Sequence, residues 1–335
     1  MNDCNPDSER PVLVTGASGF LGSHGVRGLL AAGHRVRGLA RSDAGERQVT
    51  ALGAEPVRGD MTDRDSLIAA ATGCRAIVHC AALVSDWDDA SRFHDVNVQG
   101  MRNILDAAIS AGVDRFVEVS SVGVYGMSHH HGTDETAPLT RSGDPYADSK
   151  VAAEELAFEY HRSHGLPLVV LRPGVIYGPG DRIFLPKLLE VLRNGRFCYV
   201  DHGHNQQTLV YVEDVASVFH AALTRPEAVG NAYNLTDPAQ PTTREFVEML
   251  AQLADLPAPT KSLPAPLAWG FCYLMEAWYR VFRPTATPMV NRTSMRFIAL
   301  SRVFDVSRAR DHLDYAPDHD LERKLRLSLA PGQAS

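Results

Sequence analysis

One stretch, VTGASGFLG (residues 14–22), limits the fold more than any other part of the chain. Gly16, Gly19 and Gly22 follow a short β-rich run, PVLVTG (11–16), and open a segment whose apolar residues fall at helical spacing (20–32). In a strand–turn–helix context the three glycines act differently. Gly16 permits the tight turn, Gly19 lets backbone approach a pyrophosphate, and Gly22 lets the helix pack against the strand. Helix N-terminal amides then face the anion. RVRGLA (35–40), EPVRGD (55–60), RAIVHCAA (75–82), RFVEVSS (115–121) and PLVVLRP (167–173) read as further strands. Helices are expected over 63–73, 91–111 and 146–164. This alternation predicts an α/β fold with a doubly wound parallel sheet of Rossmann type, its ligand at the carboxyl ends of the strands.

After Pro173 the pattern loosens. Segments 208–223 and 231–236 read as pieces returning to the main sheet. Residues 10–173 plus about 208–236 are therefore expected to form the dinucleotide-binding domain. Residues 174–207 plus about 237–330 are expected to form a smaller C-terminal substrate-binding cap.

At the end of the second strand an acidic residue would accept hydrogen bonds from an adenosine ribose, but the sequence there is GLARSD. The Arg41 guanidinium cannot accept from a hydroxyl, yet it can pair with a 2′-phosphate. NADP(H) is therefore favoured, NAD(H) is the alternative, and Arg47 is a second candidate contact. Asp60 and Met61, after the third strand, are placed to border the adenine.

Tyr146 and Lys150, in DPYADSK, stand one helical turn apart and share a face. The pair acquires meaning from its company. TGASGFLG, RGDMTD, HCAA, NVQGMRNIL, SSVGVYG, PYADSK, LRPGVIYGPGD and LVYVEDVA occur in that order over about residues 11–255. As a set they resemble the extended short-chain dehydrogenase/reductase family, and within it the 3β-hydroxysteroid dehydrogenase branch. The resemblance implies catalytic residues at Ser121, Tyr146 and Lys150, with Asn97 matching a further family position. It implies cofactor contacts at Gly16, Ser18, Gly19, Phe20, Leu21, Gly22, Ala81, Ala82, Pro173 and Val175, besides Tyr146 and Lys150. An ammonium near Tyr146 would lower the phenol pKa toward working pH. The expected reaction is NAD(P)-dependent interconversion of a secondary alcohol and a ketone. A homodimer is a further expectation of the resemblance.

Nucleotide-sugar 4-epimerases share most of these motifs but usually carry Arg-Asp-Phe where this chain has Gln207, Thr208 and Leu209. Dehydratases need an acid–base pair beside the serine, and Val122 and Gly123 offer none. A non-catalytic dinucleotide sensor would commonly lack the tyrosine or lysine present here. The substrate is expected to be a small hydrophobic molecule, with Val84, Trp87, Val175, Tyr177 and Phe184 at the pocket. The apolar segment 263–282 contains two prolines, Glu276 and Arg280, and reads as an amphipathic helix from Trp269 onward. It is expected either to pack on its own domain or to touch a membrane surface or greasy substrate.

The net charge of −7, with no Lys/Arg-rich block, argues against nucleic acid. Five scattered cysteines, Cys4 among them, suggest neither a disulfide framework nor a zinc site and fit a reducing cytoplasm. The polar first ten residues lack a signal core, so no export is expected. The histidines of SHHHG (128–132) read as a solvated loop rather than a metal site, because adjacent side chains diverge.

Overall fold

The computed structural model describes residues 10–85, 88–283 and 291–330. Trp87, Cys4 and both chain ends lie outside that range. In chain order the strands are β1 (Val12–Thr15), β2 (Val36–Ala40), β3 (Glu55–Arg58), β4 (Ala76–His79), β5 (Arg115–Val119), β6 (His130–Thr133), β7 (Leu168–Pro173), β8 (Val175–Tyr177), β9 (Tyr199–Val200), β10 (Leu209–Tyr211), β11 (Asn231–Leu235), β12 (Ser262–Leu263) and β13 (Arg302–Phe304). Seven of them form a parallel sheet in the order β11-β7-β5-β4-β1-β2-β3. Chain direction reverses its spread at β1, which pairs with β2 on one side and β4 on the other. The crevice at the carboxyl ends of those strands is where this architecture binds ligands.

The helices are α1 (Phe20–Ala31), α2 (Asp43–Ala51), α3 (Arg64–Ala71), α4 (Ala90–Phe93), α5 (Gly100–Ala111), α6 (Pro145–His164), α7 (Phe184–Arg193), α8 (Val212–Thr224), α9 (Thr243–Leu253), α10 (Ala265–Phe282), α11 (Arg292–Ala299), α12 (Ser307–Leu313) and α13 (Leu321–Leu329). Because both sheet faces are covered, β1, β4, β5 and β7 are buried at every position. Val12, Val14, Val117 and Val169 pack toward α1 and α8, whose Val26, Leu29, Val215 and Phe219 share that core. Leu13, Ile77, Phe116 and Leu168 face the opposite layer, with Leu67, Ile104, Leu105 and Leu156.

Local chemistry sets the helix ends. Ser42, Asp63 and Asp144 cap α2, α3 and α6 by accepting backbone N–H groups, and Pro145 opens α6 at its first turn. Gly165 ends α6 in the left-handed region at φ +68°. The helix expected over 91–111 is in fact three pieces, since a π-helical insert, His94–Gln99, separates α4 from α5. Asn97 lies in that insert, where its Oδ1 accepts from Leu83 N at 2.7 Å and its Nδ2 donates to Ser149 Oγ at 2.9 Å.

The returning segments divide. β11 completes the main sheet and α8 packs against it as expected, but β10, the start of 208–223, pairs with β8 in a separate two-stranded sheet. Tyr177, Tyr199, Tyr211, Phe246 and Leu250 make a second core with α7 and α9. His130–His131 form part of β6, which pairs with β13, and are not a solvated loop. His130 itself is buried and bonded to Thr133 Oγ1 and Gly126 O.

The segment 263–282 does form a helix, α10. It packs inward through Ala268, Cys272 and Glu276, whose carboxylate meets Arg292. Its outer face presents Leu267, Phe271, Leu274, Trp278, Val281 and Phe282, spaced three and four apart. No helix among the described residues is long and apolar enough to cross a membrane.

Candidate active site

The loop after β1 turns at Gly16, φ +68°, and Gly19 N donates to Gly16 O at 2.8 Å. A Cβ at Gly22 would stand 2.0 Å from Gly16 O, so only glycine fits beneath the turn. A Cβ at Gly16 would stand 3.0 Å from Ala81 N, so the loops after β1 and β4 lie against each other. Thr15 Oγ1 fixes that junction, receiving Ala81 N at 3.1 Å and meeting His79 Nδ1 at 2.8 Å. Gly19, the N-cap of α1, has no side chain to satisfy the helix's first amides. The turn, the close approach and the uncapped helix together suit a pyrophosphate.

These loops open into a cavity of about 1470 Å³. That exceeds the roughly 300–1,000 Å³ of a single-ligand pocket and has room for a dinucleotide and a second molecule. Gly16, Ser18, Gly19, Phe20, Leu21 and Gly22 line one end with Arg41, Asp60 and Met61. Ala81, Ala82, Ser121, Tyr146, Lys150, Pro173 and Val175 line the middle, and Val84 and Phe184 lie farther out. The structure therefore brings nearly all the expected positions to one cavity. Tyr177 is the exception: it is fully buried in the second core, its ring against Tyr211 and Phe246, and does not reach the cavity. Arg47 also stays out, on the exposed side of α2.

Arg41 is exposed and forms no hydrogen bond or ion pair among the described residues. Its acidic neighbour Asp60 is held low chiefly by the Thr62 backbone N–H, with the Thr62 hydroxyl and Arg41 adding to the effect. Ser42, beside it, is occupied as the cap of α2.

Ser121 stands two residues beyond the end of β5, and Tyr146 is the second residue of α6. The serine Oγ accepts from Gly123 N at 3.1 Å and is the hydrogen-bonding neighbour of the Tyr146 hydroxyl. Burial, reinforced by the Asp144 carboxylate, pushes the Tyr146 phenol up to about 12, and Ser121 only partly offsets this. The expected tuning by Lys150 is absent from these contacts. The lysine Nζ instead donates to Val119 O at 2.7 Å, within the cavity wall. Burial lowers the Lys150 pKa, opposed by the nearby Glu118 and Glu154 carboxylates.

Behind the lysine lies an ionic network that sequence reading did not find. Glu154, fully buried, accepts from Ser120 Oγ at 2.7 Å and is bridged by Arg172 through two guanidinium nitrogens. Arg172 also donates to the Tyr125 hydroxyl, which donates to Asn234 Oδ1 at 2.8 Å. Glu118, equally buried, has no hydrogen-bond partner on either carboxylate oxygen, and burial drives its pKa strongly upward. The only advance signal was the acidic residue in RFVEVSS, at odds with an otherwise apolar strand.

Comparisons with known proteins agree with this geometry. A family model, the NAD dependent epimerase/dehydratase family, matches residues 12–236. The chain is 33% identical over 306 residues to the 4-hydroxy-2-methyl-3-oxo-4-farnesyl-3,4-dihydroquinoline-1-oxide ketoreductase of Stigmatella aurantiaca, covering 91% of each. It is 32% identical to the 3 beta-hydroxysteroid dehydrogenase/Delta 5-->4-isomerase of Mycobacterium tuberculosis, covering 95% of this chain and 89% of that one. Among solved structures, gox2253 superposes with a TM-score of 0.80 at 29% identity, over 96% of this chain and 97% of that one.

Proposed function

Because the chain belongs to the NAD-dependent epimerase/dehydratase family, we propose that it is an oxidoreductase interconverting a ketone and a secondary alcohol on a hydrophobic substrate, with NADP(H) as its preferred cofactor. The observation that carries this reading is the pairing of the Ser121 and Tyr146 hydroxyls on the wall of a cavity whose other end is the glycine loop.

The glycine loop, Ala81, Ala82, Pro173 and Val175 would hold the dinucleotide. Arg41, without a protein partner, would take the 2′-phosphate. When bound, the nicotinamide supplies or accepts a hydride at the carbonyl carbon. Tyr146, kept neutral by burial, donates its proton to the carbonyl oxygen as reduction proceeds. Ser121 donates a hydrogen bond to the same oxygen, where negative charge develops. Lys150, one helical turn from Tyr146, is anchored in the cavity wall on Val119 O. Oxidation of the alcohol is the reverse and requires Tyr146 to give up its proton beforehand, which burial opposes.

Several features support an apolar substrate. Val84, Ile183 and Phe184 line the cavity, as does the exposed Leu263 of β12, and Phe271 belongs both to its lining and to the exposed stripe of α10. The same reading assigns that stripe to contact with a lipid surface, from which a greasy substrate would enter.

The test is Tyr146→Phe. Turnover of any ketone substrate should fall by about 10²–10⁴-fold, the contribution of a positioned acid, while reduced cofactor still binds. Near-normal turnover would remove the mechanism.

A further inference from the structure

We propose that Glu118 is the buried counter-carboxyl of Lys150, a positioning residue that holds the lysine's proton from behind the cavity wall. It thereby sets how far toward alkaline pH the site keeps its cation. The inference rests on the ketoreductase reading above and adds to it a residue that touches neither substrate nor cofactor.

Strand alternation turns Glu118 to the sheet face covered by α6. Phe116, two residues before it, packs in the layer that holds Ala153 and Leu156 of α6. Ser120, two residues after it, donates to Glu154 of α6 at 2.7 Å. Lys150 stands one helical turn before Glu154, and its Nζ donates to Val119 O, the carbonyl that follows Glu118. Glu118 is thus bracketed by contacts to the stretch of α6 that carries the lysine. It is fully buried, and neither carboxylate oxygen has a hydrogen-bond partner among the described residues. A carboxylate in such a place needs a cation beside it or takes up a proton.

The groups packed around Glu118 leave Lys150 for that role. On β4, His79 pairs with Glu118 in register, but burial and Lys150 push its pKa down to about 3, so it carries no charge. Burial pushes the thiol of Cys80, its neighbour, up to about 12. On β7, Arg172 is committed to Glu154 and Tyr125. The π-helical insert and α5 offer His94, Asp95 and Arg102, all exposed, and Asp106, which is held by Arg64 and Tyr160. Burial raises the Glu118 pKa, and Lys150 is the strongest of the groups opposing that rise. Burial lowers the Lys150 pKa, and Glu118 leads the groups opposing that fall, ahead of Glu154 and Cys80. At low pH a protonated Glu118 gives the lysine no support. As pH rises the carboxyl ionises, and the opposite charge delays loss of the lysine's proton. Lys150 itself lines the cavity, so its charge bears on what binds there.

The test reads Lys150 directly. The chain's lysines are Lys150, Lys187, Lys261 and Lys324, so lysine isotopically labelled at Cε gives few signals, and Lys150→Arg identifies the one that belongs to it. Titrated by NMR, the Lys150 midpoint should fall by about one pH unit or more in Glu118→Gln, the effect of losing a nearby opposite charge. Glu118→Asp keeps the charge on a shorter arm and should lower the midpoint less; it also serves if the glutamine variant does not fold. The pH above which NADPH binding weakens, and the alkaline limb of ketone reduction, should move down by the same interval. A merely structural Glu118 would change urea unfolding and leave the Lys150 midpoint where it was. That unchanged midpoint, whatever the turnover, overturns the proposal. A lowered midpoint in an enzyme that reduces no ketone would leave the pair standing and sink the ketoreductase reading.

Discussion

Two glycines of α1, six residues apart, should respond oppositely to the same substitution. At Gly22 an added methyl would lie 2.0 Å from Gly16 O and 2.6 Å from Gly16 C, both backbone atoms of the phosphate turn. At Gly28 its nearest neighbour would be Ala216 O at 3.7 Å, an ordinary contact. Alanine in a helix interior is favoured over glycine by about 0.5–1 kcal/mol. Gly28→Ala should collect that gain and raise the urea midpoint. Gly22→Ala gains the same amount but must push helix and turn apart, and overpacking of this kind costs about 1–3 kcal/mol. The two variants should therefore differ by roughly 1–3 kcal/mol in unfolding free energy. Displacing the turn also misaligns the amides meant for the pyrophosphate. Losing one charge-assisted bond there weakens binding about tenfold or more. Urea unfolding followed by fluorescence titration with NADPH reads both effects. If Gly22→Ala unfolds and binds like Gly28→Ala, the close approach at Gly16 is not what the sequence preserves, and the dinucleotide assignment of this loop fails.

Other predictions follow from the same contacts. Arg41→Ser should weaken NADPH binding about tenfold or more and leave NADH binding unchanged; equal loss for both cofactors, seen by titration, would detach Arg41 from the 2′-phosphate. Glu118 has its pKa raised by burial, so the folded state disfavours its ionised form. That penalty is absent below the ordinary carboxyl pKa and grows as pH climbs above it; Glu118→Gln should thus gain stability over the parent between pH 5 and 8, and a constant difference in urea unfolding would contradict this. Leu274 and Val281 are 74% and 71% exposed on α10. Replacing both with glutamate should abolish co-sedimentation with phosphatidylcholine vesicles without altering turnover of a water-soluble ketone; unchanged sedimentation would free the stripe from any lipid role.

The glycine loop and the main strands were legible because their signals are local. An apolar run of four to six residues bounded by glycine or a charge can fill little but a buried strand. Helix α2 went unread because only Gly45 and Val49 of its nine residues are buried, and its clearest mark was the Ser42 cap. Tyr177 was misplaced for a different reason. It shares strand parity with Val175, which does line the cavity, but Tyr211 pairs with it in register and Phe246 packs across it. Burial of that kind depends on residues distant in the chain. Arg302, in the cavity lining, was invisible on the same grounds. It lies in a three-residue strand whose partner, β6, is more than a hundred residues away, and nothing in SRVFD marks a cation facing a cavity.

The residues of α6 show how one helix grades its chemistry by depth. Tyr146, Lys150 and Glu154 stand at successive four-residue steps, so they form one stripe. The first faces the cavity beside Ser121, the second reaches Val119 O in the cavity wall, and the third is sealed against Ser120 and Arg172. A lysine buried alone would shed its charge, since burial lowers its pKa. Glu154 is committed to Arg172, which leaves Glu118 as the carboxyl without a partner near that ammonium. Whether Glu118 carries its proton therefore bears on how firmly Lys150 holds its own. Both carboxyls that act on the Lys150 charge, Glu118 and Glu154, lie outside the cavity lining.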